Sequence, residues 1–330
     1  MLLTLEQFKD ITRGCARVEE DEHAFILMRF TESQARAYLE VIGNKDFYNK
    51  TFATAGVRLA FKTDSTRFAF DYRFTGCSSR QFGHFDVYLD GALTSHFGSV
   101  GLENMAGHAE ITIPAGTQKV EIHFPWSHGV RMSRVEIDDG AMLEGLHRSH
   151  TMISFGDSIT HGYDAIHPSF SYATLLATLL DADYINKGIG GDIFCPALLA
   201  EAECPDPDYI TVAYGANDWD KSTPEEFEQN YRGFLSRIRE LYPTSEIFIL
   251  TPLWHTYFHK TDRMGLTGKE VNAWMKEIIR DYPTLHLVDC LPMVPHRPEF
   301  YTDGAHPTEA CFAFYAAHLY AAIQKILDNK

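Results

Sequence analysis

Four short segments of this 330-residue chain hold the residue types best suited to breaking a bond: FGDSITHG at 155–162, NKGIGGD at 186–192, YGAND at 214–218 and DGAHPT at 303–308. A serine hydroxyl is a poor nucleophile until a base takes its proton. His306 can be that base for Ser158, with its second ring nitrogen held by Asp303 three residues earlier. Ser158 sits in a tight Gly-Asp-Ser turn, where a following helix would aim backbone N–H groups at a developing negative charge. Gly156 stands two residues before the serine, but no glycine stands two after it, so this is not the G-x-S-x-G elbow. The glycines at 188, 190 and 191 let the backbone approach a ligand closely.

These segments need a scaffold that brings them to one place, and the C-terminal half has the pattern for one. The short apolar runs MISF (152–155), DYIN (183–186), YITVAY (209–214), IFILT (247–251) and LHLVD (285–289) read as strands. SFSYATLLATLL, the segment 223–241 and KEVNAWMKEIIR lie between them with helical apolar spacing, and Thr223-Pro224-Glu225-Glu226 is a helix start. Strand–helix alternation predicts a mostly parallel sheet with helices on both faces. Reactive groups in such sheets gather at the carboxyl ends of the strands, where all four segments fall. The first 145 residues read differently. Phe68, Phe70, Tyr72 and Phe74 alternate with polar or small residues, Phe85, Val87 and Leu89 do the same, and Asp90-Gly91 supplies a hairpin turn. That texture predicts a jelly-roll-like β-sandwich over 1–145, ahead of an α/β domain over 146–330.

On these residues the chain from about 150 onward resembles the SGNH, or GDSL, hydrolases. The resemblance rests on GDSI around Ser158, the Gly-Gly-Asp at 190–192, G-x-N-D at 215–218 and D-x-x-H at 303–306, in the family's order. It implies a flavodoxin-like three-layer α/β/α fold and ester hydrolysis through an acyl-serine. It implies Ser158, His306 and Asp303 as a triad, with the Ser158 and Gly191 N–H groups and the Asn217 amide as oxyanion donors. Ile159 replaces the fourth letter of GDSL. An N-terminal sandwich ahead of such a domain is similar in layout to bacterial carbohydrate esterases of family two, which points to acetyl esters of a sugar. An acyltransferase using the same triad, and a non-catalytic carbohydrate-binding protein, are the competing readings.

Other residues fit plainer roles. Asp157 reads as a turn former. His161, Trp219, Trp254 and His255 fall near the catalytic edge by chain position and are candidates to line the substrate pocket. The spacing in HTYFHK (255–260) matches no standard metal site, and neither metal nor cofactor is expected. Trp126 is a candidate for stacking on a sugar, if the first half recognises substrate rather than packing or dimerising.

Composition narrows the partners. With 29 Lys+Arg against 45 Asp+Glu the net charge is −16, which argues against nucleic acid or an anionic membrane. A small acyl-ester or acylated-sugar substrate is the expected partner; homo-oligomer formation is left open. Glu6 and Asp10 interrupt the first residues too soon for a signal peptide, and no apolar window of the length of a membrane helix stands out. Cys15, Cys77, Cys195, Cys204, Cys290 and Cys311 are scattered without paired spacing. They are expected to be reduced thiols in a cytoplasmic protein.

Overall fold

The computed structural model describes residues 1–76, 78–202 and 207–329. The N-terminal half contains two antiparallel sheets. One joins the strands Thr12–Arg13, Arg58–Thr63, Gln118–His123, Phe82–Leu89 and Ala92–Val100, with Leu143–Gly145 added on Arg58–Thr63. The other joins Arg17–Asp21, Ala24–Met28, His128–Ile137, Arg67–Gly76 and Ala106–Thr112. Alternation explains how they meet. Phe68, Phe70, Phe74, Phe85 and Val87 are buried and share one core with Phe61, Val120, Ile122 and Met132. The Asp90-Gly91 turn has positive φ at both residues, 49° and 83°, the mirror-image turn whose twist matches a hairpin.

Three short helices also lie in this half, at Leu5–Ile11, Glu32–Glu40 and Lys45–Lys50. The β-rich reading passed over them. Thr4 with Gln7 and Thr31 with Gln34 form reciprocal capping boxes, a start signal visible in the sequence.

The C-terminal half is built on a five-stranded parallel sheet: β1 (His150–Gly156), β2 (Ala182–Gly188), β3 (Tyr209–Ala213), β4 (Glu246–Leu250) and β5 (His286–Val288). The strands lie in the order β2-β1-β3-β4-β5. Side chains alternate across the sheet. Met152, Phe248, Leu250 and Val288 pack with the helices α2 (Tyr172–Leu179) and α6 (Glu309–Asp328). Ile153, Phe155, Ile210, Val212, Ile247 and Ile249 pack with α4 (Pro224–Leu241) and α5 (Gly268–Ile278). By length and composition α6 could cross a membrane, which corrects the sequence reading. In this fold Cys311, Phe312, Tyr315, Leu319 and Ile323 bury one face of it in the core.

Register decides where the chemistry goes. Gly156 pairs with Gly188 on one side and Ala213 on the other, so β1, β2 and β3 end at one edge. The segments beginning at Asp157, Ile189 and Tyr214 leave the sheet side by side there.

The two halves also share packing. Trp126, which follows the strand Gln118–His123, is 2% exposed and donates from Nε1 to Ala165 O at 2.7 Å. Its ring lies 5.1 Å from Tyr163 and 6.0 Å from His161. Trp126 is therefore an interface anchor, and the expectation that it stacks on a sugar is corrected by its burial. Arg58, also nearly inaccessible, joins Glu121 at 3.1 Å to Asp183 at 2.5 Å across the same seam.

Candidate active site

The turn from β1 into the short helix α1 (Ser158–His161) is fixed by its own residues. A Cβ on Gly156 would come within 2.1 Å of Thr160 Oγ1 and 2.9 Å of Ala213 O, so no other residue fits there. The Asp157 side chain caps the helix, accepting the Ile159 N–H at 3.0 Å. Ser158 follows as the first helical residue.

From the opposite end of the half, the loop before α6 brings the other two groups. Ser158 Oγ and His306 Nε2 are 2.9 Å apart, and His306 Nδ1 lies 2.8 Å from Asp303 Oδ2. A hydroxyl, an imidazole and a carboxylate thus form one hydrogen-bonded line. Oδ1 of Asp303 accepts the N–H groups of His306 at 2.9 Å and Ala305 at 3.0 Å. Burial alone would raise the Asp303 pKa; these bonds and the adjacent imidazole outweigh it and hold the carboxyl well below its ordinary range. The acid is therefore charged wherever the protein is folded near neutrality.

Three further residues surround this line, and the sequence reading did not identify them. Arg80, from the N-terminal half, donates to Asp303 Oδ2 and to Asp164 Oδ1, each at 2.8 Å. Tyr163 stacks on the His306 ring at 5.4 Å. Asp164 also accepts the Thr302 hydroxyl. No local pattern marks Arg80, which lies 223 residues from its partner Asp303.

The helix α3 (Ala216–Lys221) starts at Gly215, whose φ of 113° needs glycine. Asp218, fully buried, accepts the Gly215 N–H at 3.0 Å and the Phe194 N–H at 3.1 Å, and burial pushes its pKa up to about 7. Asn217 donates from Nδ2 to Asp157 Oδ2 at 3.1 Å. Asp157 is itself buried, and that burial pushes its carboxyl up to about 6. Asn217 and Ser158 line the same cavity, of about 380 Å³. Gly191 is not among its lining residues; it has a φ of 91°, and its carbonyl accepts from Lys221 Nζ.

The four pocket candidates divide. Trp219 and His255 line the cavity, their rings 5.6 Å apart. Burial pushes His255 down to about 4, and its Nδ1 has no partner among the described residues. His161 and Trp254 do not line it. His161 is fully buried, with its ring nitrogens on Trp126 O at 2.9 Å and the Gly190 N–H at 3.3 Å. Trp254 turns away to stack on His296 at 5.2 Å. Closeness in the chain brought both near the edge, but side-chain direction took them elsewhere. Exposed Tyr257 lines the cavity as well, with Asp220, Lys260 and Asp262.

Among the described residues two groups hold potential metal ligands within 4.8 Å of one another: Asp164–Asp303–His306 and Asp86–His96–His167. The Arg80 guanidinium already lies on both carboxylates of the first. In the second, Asp86 is bonded to His96 Nδ1 at 2.7 Å and to the Ser169 N–H at 3.0 Å. The histidines of 255–260 belong to neither.

Residues 154–313, a span that contains Ser158, Asn217, Asp303 and His306, match the model of the GDSL-like lipase/acylhydrolase family. Among solved structures, a salicylyl-acyltransferase from a tetracycline biosynthetic pathway superposes with a TM-score of 0.77 at 22% identity, covering 96% of this chain and 95% of that one. A candidate GDSL-like lipase from Bacteroides ovatus follows at 0.73 and 18%, covering 97% and 96%. A family two carbohydrate esterase from Cellvibrio japonicus gives 0.66 and 18%, covering 94% and 97%. At these identities the likeness is one of fold, and it extends through both halves. No curated protein sequence matches the chain.

Proposed function

We propose, from the GDSL-like lipase/acylhydrolase domain that residues 154–313 carry, that this protein is a serine esterase acting on short acyl esters, foremost acetyl esters of a carbohydrate. The fold we assign is a flavodoxin-like three-layer α/β/α catalytic domain behind a jelly-roll-like β-sandwich. The observation that carries the reading is the line from Ser158 Oγ through His306 to Asp303, at 2.9 and 2.8 Å, opening on a cavity.

His306 Nε2 takes the Ser158 proton as the oxygen attacks the ester carbonyl. Asp303 holds the Nδ1–H and stabilises the imidazolium. The Ser158 and Gly191 N–H groups and the Asn217 amide receive the charge on the carbonyl oxygen. The imidazolium returns its proton to the leaving alcohol. Water, activated by the same base, then releases the acid from the acyl-serine.

The cavity mouth supports a hydroxylated leaving group. Tyr257, 42% exposed, offers a face for a sugar ring. Asp220 and Asp262 offer acceptors for hydroxyls; burial, then the nearby Asp262, raises the Asp220 pKa. The sequence around the four motifs carries no long apolar lid segment, which favours acetyl over longer chains. Turnover of aryl acetate, aryl octanoate and acetylated sugars tests this, and faster cleavage of octanoyl than acetyl esters contradicts the short-acyl assignment. A transferase is the second reading, favoured by the fold shared with the salicylyl-acyltransferase over nearly the full length of both chains. An acyl-acceptor adduct formed in place of free acid identifies it. The unpaired thiols of Cys15, Cys195, Cys290 and Cys311 support action in a reducing compartment; Cys77 and Cys204 lie outside the described residues.

A further inference from the structure

We infer that Lys50, His161 and Lys221 set the direction of the Gly190–Gly191 peptide, whose N–H the proposed function takes as an oxyanion donor, so that the N-terminal half helps to position part of the transition-state machinery. The inference rests on the serine-esterase reading and assigns these three as positioning residues.

The C=O of Gly190 and the N–H of Gly191 belong to one peptide group, and in a trans peptide they point in opposite directions. Lys50 Nζ donates to Gly190 O at 2.9 Å. Fixing the carbonyl on that side turns the Gly191 N–H to the other. The flanking groups are fixed as well. The Gly190 N–H donates to His161 Nδ1 at 3.3 Å, and Lys221 Nζ donates to Gly191 O. His161 can accept at Nδ1 because its Nε2–H is committed to Trp126 O at 2.9 Å. That bond fixes the neutral tautomer, and burial keeps the ring neutral by lowering its pKa well below the ordinary value.

Space allows little else. A Cβ on Gly190 would sit 2.3 Å from the Tyr163 hydroxyl, and one on Gly191 would meet Lys221 Nζ at 3.1 Å. An ammonium on the carbonyl also polarises the peptide and strengthens its N–H as a donor.

The location of Lys50 is costly without such a use. It is 5% exposed, and a buried ammonium needs strong compensation. Its carboxylate partner is Asp46 at 2.5 Å. The fully buried Arg29 braces the arrangement, donating to Lys50 O at 3.0 Å and to Asn186 O at 2.6 Å at the end of β2. The helix carrying Lys50 and the strand leading to Gly190 are thereby joined through one guanidinium.

The test uses the full chain with Lys50→Met, which keeps length and removes the donor, and Lys221→Met, at an exposed site that does not threaten folding. Aryl acetate turnover is measured per active site, counted by the end-point of fluorophosphonate labelling. The expected result is a kcat lower by roughly tenfold or more with KM within about twofold, short of the ~10²–10³-fold lost when a donor is removed outright. The rate of labelling falls in parallel, while its end-point stays at one per folded chain. Lys50→Arg, which restores a donor, recovers part of kcat. If both methionine variants keep wild-type turnover per labelled site, or lose only the number of sites, the inference is overturned. Wild-type protein that neither labels nor cleaves any ester overturns the esterase reading itself, a distinguishable result.

Discussion

Replacing Asn217 by alanine removes a side-chain donor without touching the Ser158–His306–Asp303 line. The Asn217 amide has two N–H groups; one is held by Asp157 Oδ2 at 3.1 Å, which leaves the other for the oxyanion. Loss of one such donor costs about 2.7–4 kcal/mol of barrier, or ~10²–10³ in kcat. KM should change little, because the charge it stabilises is absent from the bound ester. Aspartate at the same position sets a sharper condition. Two carboxylates about 3 Å apart repel by about 5 kcal/mol at an effective dielectric constant of 20, so one must stay protonated. Asp157 is already pushed up to about 6 by burial, so Asn217→Asp should be slower than Asn217→Ala, and increasingly so above pH 7. Steady-state hydrolysis of an aryl acetate from pH 6 to 9 reads both variants. A kcat within twofold of wild type for Asn217→Ala, or a loss confined to KM, refutes the reasoning.

Two further outcomes are expected. Trp126→Ala should destabilise the whole chain by about 3–5 kcal/mol, since its ring and its Nε1–H to Ala165 O both span the two halves. Denaturant unfolding followed by fluorescence and by esterase activity should shift together; an unshifted activity transition would mean that the halves are independent. The second concerns pH. Burial raises Asp192 and Asp218 from 3.8 to about 7, so the folded chain holds protons that the unfolded chain releases. Their contribution is fully present below about pH 4 and is lost as pH rises through 7. Asp303, shifted the other way, gives stability that is lost only as pH falls below the ordinary carboxylate range. Buried His123, His161 and His255 act in the opposite sense, since burial lowers their pKa and their contribution is lost as pH falls below 6.5. Asp192→Asn isolates the acid: its melting temperature at pH 5.5 minus that at pH 8 should be smaller than the wild type's, and an unchanged difference would contradict the buried-acid account.

The sequence made the candidate site's edge legible because its determinants are local. Asp303 and His306 are three residues apart, so the same backbone turn that presents the imidazole donates two N–H groups to the carboxylate. Strand ends are marked by glycine, and alternating strands and helices fix the parallel order that aligns Gly156, Gly188 and Ala213. Contributions from the other half had no local sign. Arg80 and Lys50 reach their targets only after two separate sheets and a helix pair have packed. His161 and Trp254 mislead for a related reason, since chain position fixes a Cα near the edge but not which way its side chain points. His161 sits one helical turn after Ser158, yet it faces back toward Trp126.

Fluorophosphonate labelling followed by peptide mass mapping tests the central claim most directly. A single adduct on the peptide containing Ser158, with esterase activity lost in proportion and no adduct on Ser158→Ala, is the predicted result. An adduct elsewhere, or undiminished turnover by Ser158→Ala, contradicts the account.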